Sequence, residues 1–315
     1  EKIDDLHIKT AINQSNIYKI VEDFTNIHQL IRYFEIDKEK KVTNPKGFFA
    51  DELTANIYQI LIKTNYLKSI ENIFSQLNLN IERFIASPYA SGLSTLTEDE
   101  KELGTICIDL GAGTTSVSIF ENKNLMFAHA ISVGSSNITY DLTSGLSTSI
   151  ESAERLKTLY GSVFSNPSDE HELIDIPTTG TQEKKFNQIN ISRVNSYIKP
   201  RVEETLELVR QKLKEYNLHN KKYRRVVLTG GGSLLDGIEE YAKIIFDSQV
   251  RIGYPSASIR GLNEEIYKPQ FAVSLGLMLS SHNYTEIDSF IDKKYKKHRK
   301  NSFFGRLSNW VDTYI

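Results

Sequence analysis

The sequence predicts a mixed α/β fold, and two glycine loops with the order of elements around them carry the prediction. The first loop, Asp109-Leu110-Gly111-Ala112-Gly113-Thr114-Thr115, follows the apolar run Thr105-Ile106-Cys107-Ile108. The second, Thr229-Gly230-Gly231-Gly232-Ser233, follows Arg225-Val226-Val227-Leu228 about 120 residues further on. Between them the apolar spacing changes from alternation to the three-and-four spacing of helices. A strand, a glycine turn, a hairpin and helices, then a long helix, a strand and a glycine-capped helix do not make a simple βαβ repeat. The Gly-x-Gly-x-x-Gly dinucleotide fingerprint is also missing, because the first loop leads into a strand and not a helix. Glycine lets a backbone approach a phosphate or a nucleotide ring without a side chain in the way, and a hydroxyl or carboxylate beside it can orient the waters of a bound metal. Taken singly, a Gly-x-Gly between alternating strands is more often a tight hairpin. The pair, in this order, points to a nucleotide held in a cleft.

The remaining elements follow along the chain. Residues 1–50 alternate short helical and strand-like pieces, with Leu30–Ile36 a strand and Asn44-Pro45-Lys46-Gly47 a turn. From Leu53 to Leu77 the apolar positions permit one long helix or a strand followed by a helix. Ser87–Leu96 reads as a helix. Thr105–Asp109, Val117–Phe120 and Leu125–Val133 read as strands, the last two joined by the turn Glu121-Asn122-Lys123-Asn124. Ser135–Leu146 and Ser149–Tyr160 are helices, and 165–187, rich in Pro, Thr and Ser, is a surface excursion. Ile198–Leu218 is the clearest helix, with Val202, Leu206, Val209, Leu213 and Tyr216 on one face. A basic loop (Lys221, Lys222, Arg224, Arg225) then enters the second glycine strand. Gly237–Phe246 is a helix, Val250-Arg251-Ile252 a strand and Ala272–Ser280 a last apolar helix.

With 315 residues the chain can bury two cores, and 39% hydrophobic with 25% charged residues is ordinary for a globular protein. A net charge of -2 gives no global field for nucleic acid. The single cysteine, Cys107, can form no internal disulfide and reads as buried packing. After Ser281 the composition shifts. Residues 293–300 hold six lysines and arginines, including Lys296, Lys297, Arg299 and Lys300. Wound as a helix, the segment beyond places Phe303, Phe304, Leu307, Trp310, Val311, Tyr314 and Ile315 on one side. A basic linker before a short aromatic amphipathic helix is the pattern of an interfacial anchor, with the cations over anionic lipid headgroups. The alternative is a terminal helix docked on its own domain.

Several segments together resemble the bacterial cell-division FtsA family, within the actin/Hsp70/sugar-kinase superfamily. They are Leu96–Gly104, Ile108–Thr115, Ala153–Gly161, Val227–Ser233, Gln249–Pro255 and the amphipathic tail, in family order. The resemblance implies an actin-like (ribonuclease H-like) two-domain ATPase fold that takes ATP and Mg²⁺. Asp109 would sit near the Mg²⁺ waters, and Gly111, Ala112, Gly113, Thr114 and Thr115 would form a phosphate loop. Glu154 and Lys157 would face the ribose and adenine, and Gly230, Gly231, Gly232 and Ser233 would form the adenosine loop. Read without the family, Glu154 and Lys157 are an ordinary solvated helix pair.

The superfamily's first phosphate loop, an Asp-x-Gly-Thr/Ser turn, has no counterpart before Asp109. The opening strands of the first domain are thus expected to be missing, and ATP binding is in question. The implied domains are 1–80 (the rest of the FtsA-specific subdomain and of the first domain) and 81–104 (its return). A second actin-like domain would span 105–281 with an inserted subdomain at about 137–195, followed by a basic linker at 282–302 and an amphipathic helix at 303–315. The implied function is an adaptor that anchors the tubulin-like ring protein FtsZ to the cytoplasmic membrane at the septum. It would self-associate, contact other division proteins and be at most a weak ATPase. Arg193, Lys199 and Arg201 are candidate contacts for the FtsZ tail. The alternatives are a phosphotransferase of the sugar-kinase or exopolyphosphatase class and a pilus-assembly adaptor.

Overall fold

The computed structural model describes residues 1–15, 23–177, 186–218, 225–256 and 263–282. They divide into two compact units, Glu1–Ala86 with the chain from Ser280, and Ser87–Leu279.

The first unit opens with α1 (Asp5–Ser15), whose first turn is capped by the Asp4 carboxylate, which accepts from the Leu6 and His7 amides at 2.9 Å each. Strands β1 (Phe24–Ile36), β2 (Lys40–Val42) and β3 (Leu53–Lys63) form an antiparallel sheet in the order β2-β1-β3. Asp37 and Lys38 both take positive φ at the centre of the Ile36–Glu39 turn, which lies within the three-residue β1–β2 connection. Ala11 and Ile12 of α1 pack on Phe34 and Ala55. Residues 53–77 are a strand running straight into α2 (Thr64–Gln76). The ladder to β1 persists as far as Lys63, so pairing, more than local spacing, ends the strand there.

The second unit begins with α3 (Ser87–Thr95) and α4 (Glu98–Leu103), the latter held by a Thr97–Glu100 capping box. A meander follows, β4 (Thr105–Leu110), β5 (Thr115–Glu121) and β6 (Asn124–Ile131), its last turn made by Asn122 and Lys123 at positive φ. Then come α5 (Ser135–Leu146), α6 (Ile150–Tyr160), β7 (Leu173–Pro177), β8 (Phe186–Asn190), α7 (Ile191–Glu215), β9 (Arg225–Thr229), α8 (Ile238–Phe246), β10 (Gln249–Ile252) and α9 (Ala272–His282). The five-stranded sheet has the order β10-β9-β4-β5-β6, with β9 and β10 parallel to β4 and the meander antiparallel. This is the ribonuclease H-like order. Ile108, Val117, Ile119 and Leu228 are fully buried in its core, where Leu206 and Val209 of α7 join them.

One expectation is extended and one corrected. The described part of the excursion at 165–187 is largely exposed, as a surface segment is, and it also holds a 3-10 turn at Pro167–Glu170 and most of the β7–β8 pair, with Ile176 alternating into the core at 2% exposure. Helix α7 starts seven residues before the predicted Ile198. Asn190 caps it by accepting from the Arg193 amide at 3.0 Å, and Pro200, inside the helix, interrupts the local helical signal. The basic linker and the amphipathic tail lie outside the described residues.

Candidate nucleotide site

Strands β4 and β9 are parallel neighbours, with Asp109 in register with Thr229. Both glycine loops therefore leave the sheet side by side at the carboxyl ends of adjacent parallel strands, where open α/β sheets bind ligands. This convergence follows from topology, since 120 residues of chain separate the two positions.

The first loop is closed by the Gly111 amide donating to the Thr114 carbonyl at 3.0 Å. The amides of Ser135 and Ser136 donate to the Gly111 and Ala112 carbonyls at 2.9 Å each, tying the start of α5 beneath the loop. The first amides of α5 are thereby used. The exposed amides of Ala112, Gly113 and Thr114 have no partner among the described residues and are the donors on offer. Gly134 belongs to the same construction, because a Cβ there would strike the Ala112 carbonyl. The loop residues alone did not show that Gly134 and Ser135 support it. Their position just ahead of a helix was the available signal.

The second loop turns at Gly230, with φ +81° and its amide on the Pro269 carbonyl at 3.1 Å. The Ser233 hydroxyl is buried and donates back to the Gly230 carbonyl at 2.7 Å, so it braces the loop. Gly231 is exposed, and Gly232 sits on Leu110 and Ser135.

Between the loops lies Asp109, 8% exposed and without a hydrogen-bond partner for its carboxylate among the described residues. Burial pushes its pKa up to about 6. The hydroxyl of Thr115 is likewise buried without a partner. A desolvated carboxylate beside three exposed amides and glycine surfaces is the donor set that a hydrated divalent cation and a polyphosphate require. No cluster of three or more His, Cys, Asp or Glu occurs among the described residues, so a cation here would take its other ligands from phosphate and water.

Lys157 and Glu154 are more than a solvated pair, for Glu154 stays 52% exposed while Lys157 is drawn inward. The Lys157 ammonium, with its side chain 13% exposed, donates to Glu154 at 2.7 Å, to the Thr139 hydroxyl at 2.9 Å and to the Ser135 carbonyl at 3.3 Å. Thr139 in turn donates to Glu154 at 2.5 Å. Burial works against the Glu154 charge, yet the hydrogen bonds from Lys157 and Thr139 outweigh it and hold the carboxyl below its usual range. The pair thus braces the start of α5, and Glu154, Thr139 and Ile150 line a groove of about 770 Å³.

The three candidate cations of α7 do not converge. Arg193 is exposed in the first turn. Lys199 lies over the Tyr241 ring of α8 at 6.0 Å. Arg201 faces α5, forked onto Asp141 at 2.6 and 2.9 Å, and also bonds Glu204. Phe303, Phe304, Leu307, Trp310, Val311, Tyr314, Ile315 and the lysines before them lie outside the described residues. Among the described residues no helix is long and apolar enough to cross a membrane.

The model of the family described as "Cell division protein FtsA" matches residues 106–276, the whole stretch that builds this site. The chain belongs to the FtsA family. FtsA of Agrobacterium fabrum is 37% identical over 259 residues, which are 82% of this chain and 58% of that protein. FtsA of Rhizobium meliloti is 33% identical over 306 residues, 96% of this chain and 69% of that one. The chain thus spans little more than half the length of the Agrobacterium relative. Among solved structures, MreB5 of Spiroplasma citri bound to ADP aligns with a TM-score of 0.56 at 16% identity, covering 76% of this chain and 69% of that one. A PilM–PilN type IV pilus biogenesis complex aligns with a TM-score of 0.57 at 15% identity, covering 89% and 74%. Their likeness is one of fold, and that fold is actin-like.

Proposed function

We propose that this FtsA-family chain is a cell-division adaptor whose second unit supplies one wall of an ATP–Mg²⁺ site. The observation that carries the reading is the buried, unpartnered Asp109 carboxylate between two glycine loops that adjacent parallel strands bring together. When bound, the nucleotide would contribute a polyphosphate and a chelated cation. The chain's own residues do the rest. The amides of Ala112, Gly113 and Thr114 receive phosphate oxygens, Asp109 orients the cation's waters, and the Gly230–Ser233 turn leaves room for the nucleoside. Glu154 and Lys157 hold the start of α5 and present the edge of the groove to the ribose and base. None of these groups is a positioned general base, so the chemistry supported is binding, with turnover weak at most.

The adaptor role adds anchoring at the cytoplasmic membrane through the basic run and the aromatic face of residues 303–315, together with self-association and docking of the FtsZ tail near Arg193 and Arg201. The sequence pattern of the tail supports the anchor. Two measurements test the reading. A fluorescent ATP analogue should bind in Mg²⁺ and lose at least about tenfold in affinity with Asp109→Ala. Flotation with phosphatidylglycerol vesicles should be lost when residues 301–315 are removed. Unchanged binding in either assay removes that part of the proposal.

A further inference from the structure

The second loop holds three successive glycines, and the fold itself requires only two of them. Gly230 takes φ +81°, and a Cβ there would strike the Asp109 carboxylate and the Leu110 carbonyl. A Cβ on Gly232 would come within 2.9 Å of Leu110 and 3.3 Å of Ser135. Gly231 has neither reason. It is exposed, its φ lies outside the left-handed region, and a Cβ built on it would meet only the Gln270 Cβ, at an ordinary contact distance of 3.8 Å. Alanine would fit there and would lower the conformational freedom of the unfolded chain. Glycine instead leaves bare backbone open to a close approach from outside.

Gln270 stands beside that backbone on the 3-10 turn Pro269–Phe271. The buried Pro269 offers its carbonyl to the Gly230 amide at 3.1 Å and to the Thr229 hydroxyl at 3.4 Å, so turn and loop are fastened together. The Gln270 side chain is exposed, and its amide has no hydrogen-bond partner among the described residues. A solvated surface glutamine would account for that exposure, but not for a glycine at 231.

Resting on the nucleotide reading above, we propose that the base of the bound nucleotide lies on the Gly231 backbone and that the Gln270 amide reads its 6-amino edge, making the site selective for adenine. A carboxamide carries an acceptor beside a donor. Adenine presents its 6-amino donor beside a ring-nitrogen acceptor, so one amide satisfies both. A purine without that amine leaves the Gln270 carbonyl unpaired. Lysine, which only donates, or a carboxylate, which only accepts, could not make the same pair of bonds.

The probes are ATP and purine riboside triphosphate, which lacks only the 6-amino group. Affinities for the full chain in Mg²⁺ are read by competition against the fluorescent ATP analogue, alongside thermal melts without nucleotide. We expect the parent to prefer ATP by about three- to tenfold, the range of one hydrogen bond. Gln270→Met should abolish the preference by weakening ATP alone, and Gln270→Ala repeats the test without added apolar surface. Gly231→Ala should weaken both nucleotides at least about fivefold while the nucleotide-free melting temperature holds or rises. A parent without the preference, or a preference retained in both Gln270 variants, overturns the proposal. So does a Gly231→Ala variant that binds both nucleotides as the parent does, or one whose melting temperature falls, since the glycine would then serve the fold. These outcomes, with ATP still bound by the parent, leave the nucleotide reading standing. A parent that binds neither nucleotide removes that reading and the selectivity with it.

Discussion

The Asp109 carboxylate occupies the space that a side chain on Gly230 would need. Gly230 sits at φ +81°, and a Cβ there would also lie 2.7 Å from the Leu110 carbonyl oxygen. Two constraints therefore fall on one residue, a left-handed backbone and a close approach by both the carboxylate and the end of its own strand. The neighbour that would have to yield is strand backbone, which cannot swing aside. Gly230→Ala should destabilise the second unit by about 2–4 kcal/mol, combining a left-handed penalty of about 1 kcal/mol with steric displacement. Urea unfolding followed by circular dichroism measures this. A loss below about 0.5 kcal/mol would show that the two loops are not in contact.

Desolvation of Asp109 has a sign that can be tested. In the folded protein its pKa is raised to about 6, whereas an unfolded aspartate titrates near 3.9. Below about pH 4 both states are protonated and the group is neutral to stability. As pH rises through 4 to 6 the unfolded chain gives up its proton first, so the folded state loses stability, by up to about 3 kcal/mol at neutral pH. Asp109→Asn removes that charge without changing shape. In metal-free buffer it should be more stable than the parent at pH 7 by about 1–3 kcal/mol and no more stable at pH 4. On the proposed reading it should also lose nucleotide affinity, so function and stability move in opposite directions. Equal stability differences at both pH values would count against a buried charge.

Glu100 and Arg251 show the opposite linkage. The Arg251 guanidinium donates to Glu100 at 2.7 and 2.5 Å and also reaches the Thr95 carbonyl at 3.0 Å, joining β10 to α3 and α4. Burial raises the Glu100 pKa, but hydrogen bonds from Arg251 and from the Thr97 amide outweigh it, so the carboxyl is held below its usual range. A depressed carboxylate contributes stability that is present above the unfolded pKa of about 4.3 and lost as pH falls below it. Arg251→Met should therefore cost about 1–3 kcal/mol at pH 7, because it leaves a buried carboxylate unpaired, and much less at pH 3. Chemical denaturation at the two pH values provides the check. A cost independent of pH would mean that packing, and not charge pairing, holds the strand.

Much of this architecture is legible locally, and the reason differs from residue to residue. Asn122 and Lys123 announce their turn because few residue pairs accept two positive φ values between alternating strands. Cys107 reads as packing from its apolar neighbours, and it is 1% exposed with its thiol pushed up to about 12 by burial. The family's loops are visible because glycine is scarce in strand ends that need no close approach. What local pattern misses is pairing over distance. Residues 53–77 stay ambiguous until the ladder to β1 fixes where the strand stops. The start of α7 is hidden by Pro200, and β7 by the polar composition around it. Arg251 and Glu100 lie 151 positions apart, and nothing in either segment's period indicates the other. The same holds for Lys157, whose i,i+3 spacing to Glu154 suggests solvent until α5 is placed over it.

The last relationship concerns Arg201, which pairs with Asp141 across 60 residues and so fastens α7 to α5. Its fork uses the Nε and Nη2 donors on one carboxylate and an Nη1 donor on Glu204. Lysine offers one point charge and cannot reproduce that geometry. Arg201→Lys should cost about 1–2 kcal/mol, and a double-mutant cycle with Asp141→Asn should return most of it as coupling, while the cycle with exposed Glu204 should return about 0.3–0.5 kcal/mol. The same pair bears on the proposed FtsZ contact. If an acidic tail is to use Arg201, its carboxylate must compete with Asp141 for the same donors. Asp141→Asn should then tighten peptide binding severalfold while lowering stability, whereas Arg201→Lys should weaken both. Anisotropy with a labelled FtsZ tail peptide alongside urea melts separates the two patterns. Peptide affinity unchanged by either substitution would place the docking contact elsewhere on α7 and leave Arg201 as a fastening between helices.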